Sequence, residues 1–241
     1  MTGEATERGI EAAAAAALEL VGDGATLGLG TGRAAAIFIA LLGARTRQGL
    51  RVAGVATSHD SARLAADAGI PLIDLAEELE LDLTVDGADE VAPNLDLVKG
   101  WGGALVRERI VAAASRRQVI IIGSDKLVKR LGEKGRIPVE VIPLARGLAL
   151  RRIKALGLSP TVRAAPDGAG PFQTENGNII LDCAPAEPIA NGEGARALDV
   201  EIRRIPGVVD TGLFLGTAER VLIGHRDGRV ETLLPSFIVD G

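Results

Sequence analysis

The fold class of this chain is decided by residues 25–42, ATLGLGTGRAAAIFIALL. The apolar run Ala25–Leu29 predicts a strand, the glycine-rich residues 30–32 predict a tight turn, and Ala34–Leu42 predicts a helix. The same order of strand, turn and helix recurs along the first half of the chain. Alternation of this kind predicts an α/β fold with helices on both faces of a mostly parallel sheet.

The alternation continues as far as residue 122. Val119–Ile122 is a continuous β-branched run, as expected for a strand that is buried on both faces. We predict strands at residues 25–29, 52–56, 72–74, 83–85, 95–98 and 119–122, and helices at 11–21, 34–42, 58–68 and 104–114.

The pattern changes after about Gly132, which indicates a smaller α+β unit inserted into the parent sheet. A hairpin-type turn is predicted at Asn176-Gly177 and a second hairpin around residues 226–228. We predict strands at 137–142, 161–165, 179–183, 221–224 and 230–233, helices at 148–156 and 195–204, and a return to the parent sheet at 206–209. The predicted domains are 1–132 plus 206–241, and an inserted domain at 133–205.

Composition argues against several classes of function. The 241 residues are 47% hydrophobic but only 2% aromatic, so stacking of nucleic-acid bases is not expected. A formal net charge of −5 provides no basic surface for DNA or an anionic membrane. One cysteine and two histidines argue against internal disulfides and a dedicated zinc site. The apolar run Ala12–Ala17 is soon interrupted by Glu19, so we expect a helix there rather than a signal peptide. We also expect a cytoplasmic protein without a membrane span.

The glycine-rich turn at residues 30–32 has two interpretations. Free backbone N–H groups at the start of a helix bind anions, which predicts a phosphate site, but a purely structural tight turn is equally consistent with the sequence. The turn is not a dinucleotide-binding fingerprint, because Arg33 stands where the third glycine belongs. It is not a P-loop either, because Gly-Lys-Ser/Thr is absent.

A second candidate, Asp86-Gly87-Ala88-Asp89-Glu90, directly follows a predicted buried strand. Ligands of open parallel sheets bind beyond the carboxyl ends of the strands. Three carboxylates within five residues are consistent with Mg²⁺ ligation, with hydrogen bonds to sugar hydroxyls, or with a solvated acidic turn.

Two further strand ends carry chemistry-bearing side chains. Lys99 opens a glycine-rich loop that leads into a helix, and Glu108 lies about one turn into that helix. Lys126 follows the strand at 119–122. Each residue alone is typical of a solvated surface. Polar groups at four consecutive strand ends of one sheet edge together favour a small polyanionic substrate.

These motifs, in this order and spacing, resemble the A-type ribose-5-phosphate isomerases over almost the whole chain. The resemblance implies a Rossmann-like parallel-sheet domain with an inserted ferredoxin-like α+β domain. It also implies interconversion of ribose 5-phosphate and ribulose 5-phosphate in the pentose phosphate pathway, without metal or cofactor, by a homodimer or homotetramer. The matching segments are Gly30-Thr31-Gly32, Thr57-Ser58, Asp86–Glu90, Lys99-Gly100, Arg107-Glu108, Pro138–Val141, Asn176–Asn178 with Asp182, Pro206–Val209 and Gly212–Phe214.

The resemblance also implies roles for single residues. Glu108 matches the proton-transferring base, and Asp86, Asp89 and Lys99 match the other catalytic polar groups. In such a reaction the base moves a proton between C1 and C2 through a cis-enediolate, and a cation stabilises the oxyanion. The implied substrate-binding residues are Thr31, Gly32, Arg33, Ala34, Gly87, Ala88, Gly100, Trp101, Gly102 and Lys126.

The chain departs from the family pattern at three places. Arg33-Ala34 replaces a usual Ser-Thr pair, Trp101 interrupts a loop that is normally glycine, and a lysine common in the first helix has no counterpart near Ile10-Glu11. Two rival functions are a non-catalytic sugar-phosphate sensor, which would lack the base, and an aminosugar-phosphate deaminase, for which His59 is the only candidate catalytic histidine.

Overall fold

A computed structural model describes residues 2–77 and 79–235. The chain forms two compact units. The first comprises the described residues of 1–88, 107–126 and 217–241, and the second comprises 89–106 and 127–216. None of the helices in the described part of the chain has the length and apolarity to cross a bilayer.

The described residues contain six α-helices and thirteen strands, with 3₁₀ turns at Ser124–Lys126 and Pro143–Ala145. The helices are α1 (Thr2–Leu18), α2 (Arg33–Arg47), α3 (His59–Asp67), α4 (Leu105–Ala113), α5 (Arg146–Ala155) and α6 (Glu193–Arg203). The strands are β1 (Ala25–Leu29), β2 (Val52–Ala56), β3 (Leu83–Asp86), β4 (Glu90–Val91), β5 (Leu97–Val98), β6 (Gln118–Gly123), β7 (Ile137–Val141), β8 (Leu158–Val162), β9 (Ile179–Pro185), β10 (Val208–Thr211), β11 (Leu213–Phe214), β12 (Arg220–Gly224) and β13 (Val230–Leu233).

A six-stranded sheet of order β13-β12-β6-β3-β1-β2 forms the first unit. All neighbouring strands are parallel except the β12–β13 hairpin. Leu27 and Leu29 belong to a core with residues of α1 and α2. Gly28 points to the other face, where a Cβ atom would lie 2.5 Å from Val111 of α4. Helices therefore cover both faces, as the alternating pattern predicts.

The second unit contains a four-stranded antiparallel sheet of order β10-β7-β9-β8. Val139, Val141 and Leu181 lie on one face of this sheet, in a core that also contains Ile153 of α5 and Ile202 of α6. Two helices on one face of an antiparallel sheet form the α+β arrangement that the sequence predicts.

Several predicted elements differ from the structure. The predicted strand at 95–98 shortens to β5 and leaves the parallel sheet, since it pairs with β4 and β11 in a separate antiparallel sheet. The predicted strand at 72–74 is a single bridge between Gly54 and Leu72. The predicted strand at 161–165 begins earlier, at Leu158, because Gly157 with a φ of +84° turns the chain directly out of α5.

The compact units also differ in extent from the predicted domains. Residues 89–106 pack with the second unit although they precede the predicted boundary after residue 132. The second compact unit is built from two segments of chain, 89–106 and 127–216. The domain boundaries at 132/133 and 205/206 stay predictions.

Candidate active site

Asp86 ends β3 in the first unit and is completely buried. Its Oδ1 accepts hydrogen bonds from the backbone N–H of Thr31 at 3.2 Å and of Gly87 at 2.7 Å. A Cβ atom on Gly30 would lie 2.2 Å from that same oxygen. Glycine at position 30 is therefore what allows the carboxylate of Asp86 to reach the turn after β1.

Hydroxyl groups hold the turn after β1 in place. The Thr31 hydroxyl donates to Ser58 Oγ at 2.8 Å and lies 2.7 Å from the hydroxyl of Thr57. Ser58 is the N-cap of α3 and forms a capping box with Ser61. The Thr31 hydroxyl thus links the turn after β1 to the start of α3. Its single hydroxyl proton is donated to Ser58.

The N-terminus of α2 presents main-chain donors. Gly32 is the N-cap, with a φ of +95°, and no side chain caps the helix. The N–H groups of the first turn, beginning with Arg33 and Ala34, are therefore available to an anion, and the helix dipole favours negative charge there. The Arg33 side chain is exposed at the same end.

Glu108 lies in the first turn of α4 and is only 5% exposed. Taken alone, its sequence context is equally typical of a solvated surface residue, and the structure buries the side chain. Leu105 and Val111, three residues before and after it, are also buried. A charged residue within such an apolar helix stripe is the sequence signal that distinguishes Glu108 from the half-buried Arg107 and Arg109.

Two other predicted groups lie at the carboxyl edge of the parallel sheet. Lys126 ends the 3₁₀ turn that directly follows β6, the parallel neighbour of β3. Gly87 and Ala88 follow β3, and a Cβ atom on Gly87 would lie 3.7 Å from the Cβ of Ala34. The first unit therefore carries Glu108, Asp86, Lys126 and the predicted binding residues 31–34 and 87–88.

Lys99 and Asp89 lie in the second unit. Lys99 is 2% exposed, and its Nζ lies 5.6 Å from the centroid of the Phe214 ring, a cation–π distance. Its backbone N–H donates to Gly212 O at 2.9 Å. The N–H of Asp89 donates to Val98 O at 2.8 Å, which places Asp89 beside the end of β5. The predicted common edge of four parallel strands is therefore wrong for Lys99, because β5 belongs to the antiparallel three-stranded sheet.

The loop after Lys99 forms several close contacts within the second unit. Gly100 and Gly103 have φ values of +98° and +90°, which favour glycine, whereas Gly102 is exposed. The backbone N–H of Trp101 donates to Asp89 Oδ2 at 2.9 Å. Its indole Nε1 donates to Arg136 O at 3.3 Å, and the Arg136 guanidinium lies 4.5 Å from the ring centroid. The indole therefore packs on Arg136.

The three carboxylates of the acidic motif at 86–90 are divided between the units: Asp86 belongs to the first, and Asp89 and Glu90 belong to the second. Glu90 is buried in the second unit, where its two carboxylate oxygens accept the N–H groups of Gly132 at 2.6 Å and Lys134 at 2.7 Å. Burial raises the pKa of Glu90, and these two hydrogen bonds oppose the rise. Among residues 2–77 and 79–235, no group of three or more His, Cys, Asp or Glu side chains is placed to hold a metal ion.

Three further titratable residues belong to α3, to the β12–β13 hairpin and to β9. His59 is the exposed first residue of α3, and His225 lies 2.9 Å from Glu231 in the β12–β13 hairpin. Cys183 is buried in β9, and this burial raises the pKa of its thiol.

Arg163, whose side chain is 11% exposed, is a residue that no sequence motif singles out. It follows β8 and forms an ion pair with Asp182 of β9, and it also donates to the loop that follows Lys99. The only sequence signal is an arginine directly after a short strand, which is too common to single it out.

Comparison with known proteins establishes the family. The sequence profile described as ribose 5-phosphate isomerase A (phosphoriboisomerase A) matches residues 53–228. The chain belongs to the ribose-5-phosphate isomerase A family. A ribose-5-phosphate isomerase A from Gloeobacter violaceus is 48% identical over 227 residues, which cover 94% of this chain and 96% of the relative.

Solved structures of ribose-5-phosphate isomerases share the fold. The isomerase A of Methanocaldococcus jannaschii is 41% identical, with a TM-score of 0.86 over 94% of this chain and 98% of that one. A D-ribose-5-phosphate isomerase solved in complex with phospho-erythronic acid is 35% identical, with a TM-score of 0.90 over 95% of this chain and 99% of that one. The predicted family and fold class are confirmed, and the roles of single residues stay predictions.

Proposed function

We propose that this chain interconverts D-ribose 5-phosphate and D-ribulose 5-phosphate, with Glu108 as the base. Membership of the ribose-5-phosphate isomerase A family carries the proposal. A relative binds phospho-erythronic acid, a phosphorylated sugar acid of the same chemical class as the proposed substrate. Burial of Glu108, Asp86 and Lys99 supports the assignment, because charged side chains are rarely buried without a specific task or partner.

The phosphate group is assigned to the N-terminus of α2. The uncapped N–H groups of Arg33 and Ala34 suit three anionic oxygens, and Arg33 adds a guanidinium that binds phosphate as a fork. Lys126 supplies a second cation from the carboxyl edge of the same sheet. This binding does no chemistry itself; it positions the carbons that react.

Proton transfer is assigned to Glu108. The carboxylate removes the proton from C2 of the aldose and returns it to C1, so that a cis-enediolate forms in between. A positioned base of this kind contributes about 10²–10⁴-fold to the rate. Burial favours the role because electrostatic interactions are stronger where water is excluded.

The negative oxygen of the enediolate is assigned to Lys99. A preorganised cation at developing charge lowers the barrier without reorganisation during the reaction. Asp86 and Asp89 are assigned to the substrate hydroxyls, where carboxylates orient O1 and O2 and assist ring opening. The hydrogen bonds from the N–H groups of Thr31 and Trp101 hold these two carboxylates in place.

The direct test is incubation of the purified protein with D-ribose 5-phosphate, without added metal, followed by NMR detection of D-ribulose 5-phosphate. In D₂O we expect deuterium in product and recovered substrate, because the proton on the base exchanges with solvent at the enediolate stage. Binding of the sugar phosphate without any conversion would refute the enzyme and favour the sensor.

Glu108→Gln tests the base. We expect kcat to fall by about 10²–10⁴-fold while KM stays within a few-fold, because the amide keeps the shape and loses the basicity. The matched control is Glu219→Gln. Glu219 lies in the same unit beside the amino end of β12, where it pairs with Arg117 and Arg220. Near-normal kcat in Glu108→Gln, or an equal loss in Glu219→Gln, contradicts the assignment.

Oligomeric state and cellular location also belong to this proposal. The family resemblance implies a homodimer or homotetramer, and the composition implies a cytoplasmic enzyme. Light scattering of the purified chain measures the first directly, and a monomer at assay concentration would contradict it.

A further inference from the structure

Arg163 connects β9 to the loop that follows Lys99, within the second unit. Its Nε donates to Asp182 Oδ2 at 3.0 Å and its Nη2 to Asp182 Oδ1 at 2.5 Å, a bidentate pair. Its Nη1 donates to two consecutive carbonyls, Gly100 O at 3.1 Å and Trp101 O at 3.0 Å. The side chains of Arg163 and Asp182 are 11% and 13% exposed. One mostly buried guanidinium thus bridges a carboxylate and the loop.

The loop depends on this bridge at its centre. Asp89 accepts the N–H of Trp101, and Arg163 donates to the carbonyl of the same residue. Both peptide groups that flank the Trp101 Cα therefore form hydrogen bonds with side chains, one with Asp89 and one with Arg163. Gly100, whose carbonyl is the second acceptor, directly follows Lys99.

The far end of the loop rests on the same side-chain cluster. A Cβ atom on Gly103 would lie 2.5 Å from the Phe172 ring, and the Arg163 guanidinium lies 5.8 Å from the centroid of that ring. The backbone N–H of Phe172 donates to Arg163 O at 2.8 Å. Arg163 therefore orders both the segment that carries Lys99 and the ring that supports Gly103.

We propose that Arg163, oriented by Asp182, is a positioning residue for Lys99 and Asp89. It touches neither substrate nor reacting atoms in this assignment; it sets the loop geometry that places the cation and the carboxylate. The proposal rests on the proposed function, because it concerns residues to which that function gives catalytic roles. Its structural part, control of the loop at Trp101, does not depend on activity.

The test compares Arg163→Met and Arg163→Lys with Arg203→Met. Arg203 forms ion pairs with Asp199 of α6 and Asp210 of β10 in the same unit, so it controls for the loss of an ion pair. A misplacement of about 1 Å costs on the order of 10²-fold in rate. We expect kcat of Arg163→Met to fall by about that factor, with KM within a few-fold, because the phosphate site lies elsewhere in the chain. Arg163→Lys, which keeps the charge but not the fork, should lose at least about tenfold.

The only tryptophan of the chain gives a second readout. Trp101 lies in the loop itself, and the chain has no tyrosine, so intrinsic emission reports this loop. We expect red-shifted emission and greater acrylamide quenching in both Arg163 variants and unchanged emission in Arg203→Met. If Arg163→Met does not fold, Arg163→Lys decides the same comparison.

The outcomes separate the two proposals. Emission and kcat of a folded Arg163 variant close to wild type overturn the inference. Equal losses of kcat in Arg203→Met and Arg163→Met at matched Tm also overturn it, because they indicate general destabilisation. A wild-type protein without isomerase activity refutes the proposed function alone, and the shift of Trp101 emission then supports the structural part of the inference independently.

Discussion

Gly30→Ala perturbs the contact between β1 and β3 on which the candidate site depends. A Cβ atom at position 30 would lie 2.2 Å from Asp86 Oδ1, 2.3 Å from its Cγ and 2.7 Å from its Cα. The Cα distance means that rotation of the carboxylate alone cannot relieve the clash. The end of β3, or the turn at Thr31, must move by about 1 Å to restore ordinary contact distances.

The expected cost follows from these contacts. Overpacking at a buried position costs about 1–3 kcal/mol. Weakening the charge-assisted hydrogen bond from the Thr31 N–H to Asp86 adds about 1 kcal/mol. We therefore expect a loss of about 2–4 kcal/mol in the free energy of unfolding, or roughly 5–15 °C in Tm for a chain of this length. Because the turn leads directly into α2, KM for the sugar phosphate should rise as well.

Thermal unfolding and steady-state kinetics test this prediction together. Gly22→Ala is the matched control, since a Cβ atom at Gly22 meets nothing within 4 Å in the same unit. A second comparison repeats Gly30→Ala in an Asp86→Ala background, which lacks Oδ1 and Cγ, two of the three close atoms. The loss in free energy of unfolding caused by Gly30→Ala should be smaller there. Wild-type Tm and KM in Gly30→Ala, or an equal cost in both backgrounds, would refute the reasoning.

Two further predictions concern Arg33 and Asp23. Arg33→Ala should raise KM several-fold with little change in kcat, because the main-chain donors of α2 remain. Steady-state kinetics measures both constants. An unchanged KM would remove Arg33 from the proposed phosphate site. The hydrogen bond from Arg51 lowers the pKa of Asp23 from 3.8 to about 2. The carboxylate therefore stabilises the fold above pH 4, and this contribution is lost as the pH falls through about 2. Asp23→Asn should then lower Tm slightly at pH 7 and by clearly less at pH 2, and an undiminished Tm difference at pH 2 contradicts the assignment.

Regular elements of the first unit could be predicted from the sequence. The bounds of β1 and β2 agree with the predicted 25–29 and 52–56, because short apolar runs flanked by glycine or polar residues leave little choice of register. The two-residue strands β4 and β11 could not be predicted, since they are too short to show any periodicity. Without them, the sequence placed the segment before Lys99 in the parallel sheet.

The candidate site was predictable as a set of positions but not as a set of contacts. Motif spacing selected Asp86 and Asp89, yet nothing in the sequence separates the donors of one carboxylate from those of the other. In the structure, Asp86 accepts the Thr31 N–H and Asp89 accepts the Trp101 N–H. Long-range partners of this kind, including Arg163 and Asp182, are set by tertiary packing, which local sequence patterns do not encode.

The chain has Arg33-Ala34 where the family pattern has Ser-Thr. This difference can be explained by which groups, main chain or side chain, would bind the phosphate. At the start of α2 the donors available to a phosphate are backbone N–H groups, and these persist whatever side chain follows Gly32. A Ser-Thr pair can therefore be replaced there without removing the main-chain donors of the proposed phosphate site. Glu108 has no such backbone substitute, because a proton acceptor of carboxylate basicity is found only in a side chain. Departures from the family pattern are therefore expected where main-chain groups would bind the ligand. Arg33 and Ala34 lie at such a position.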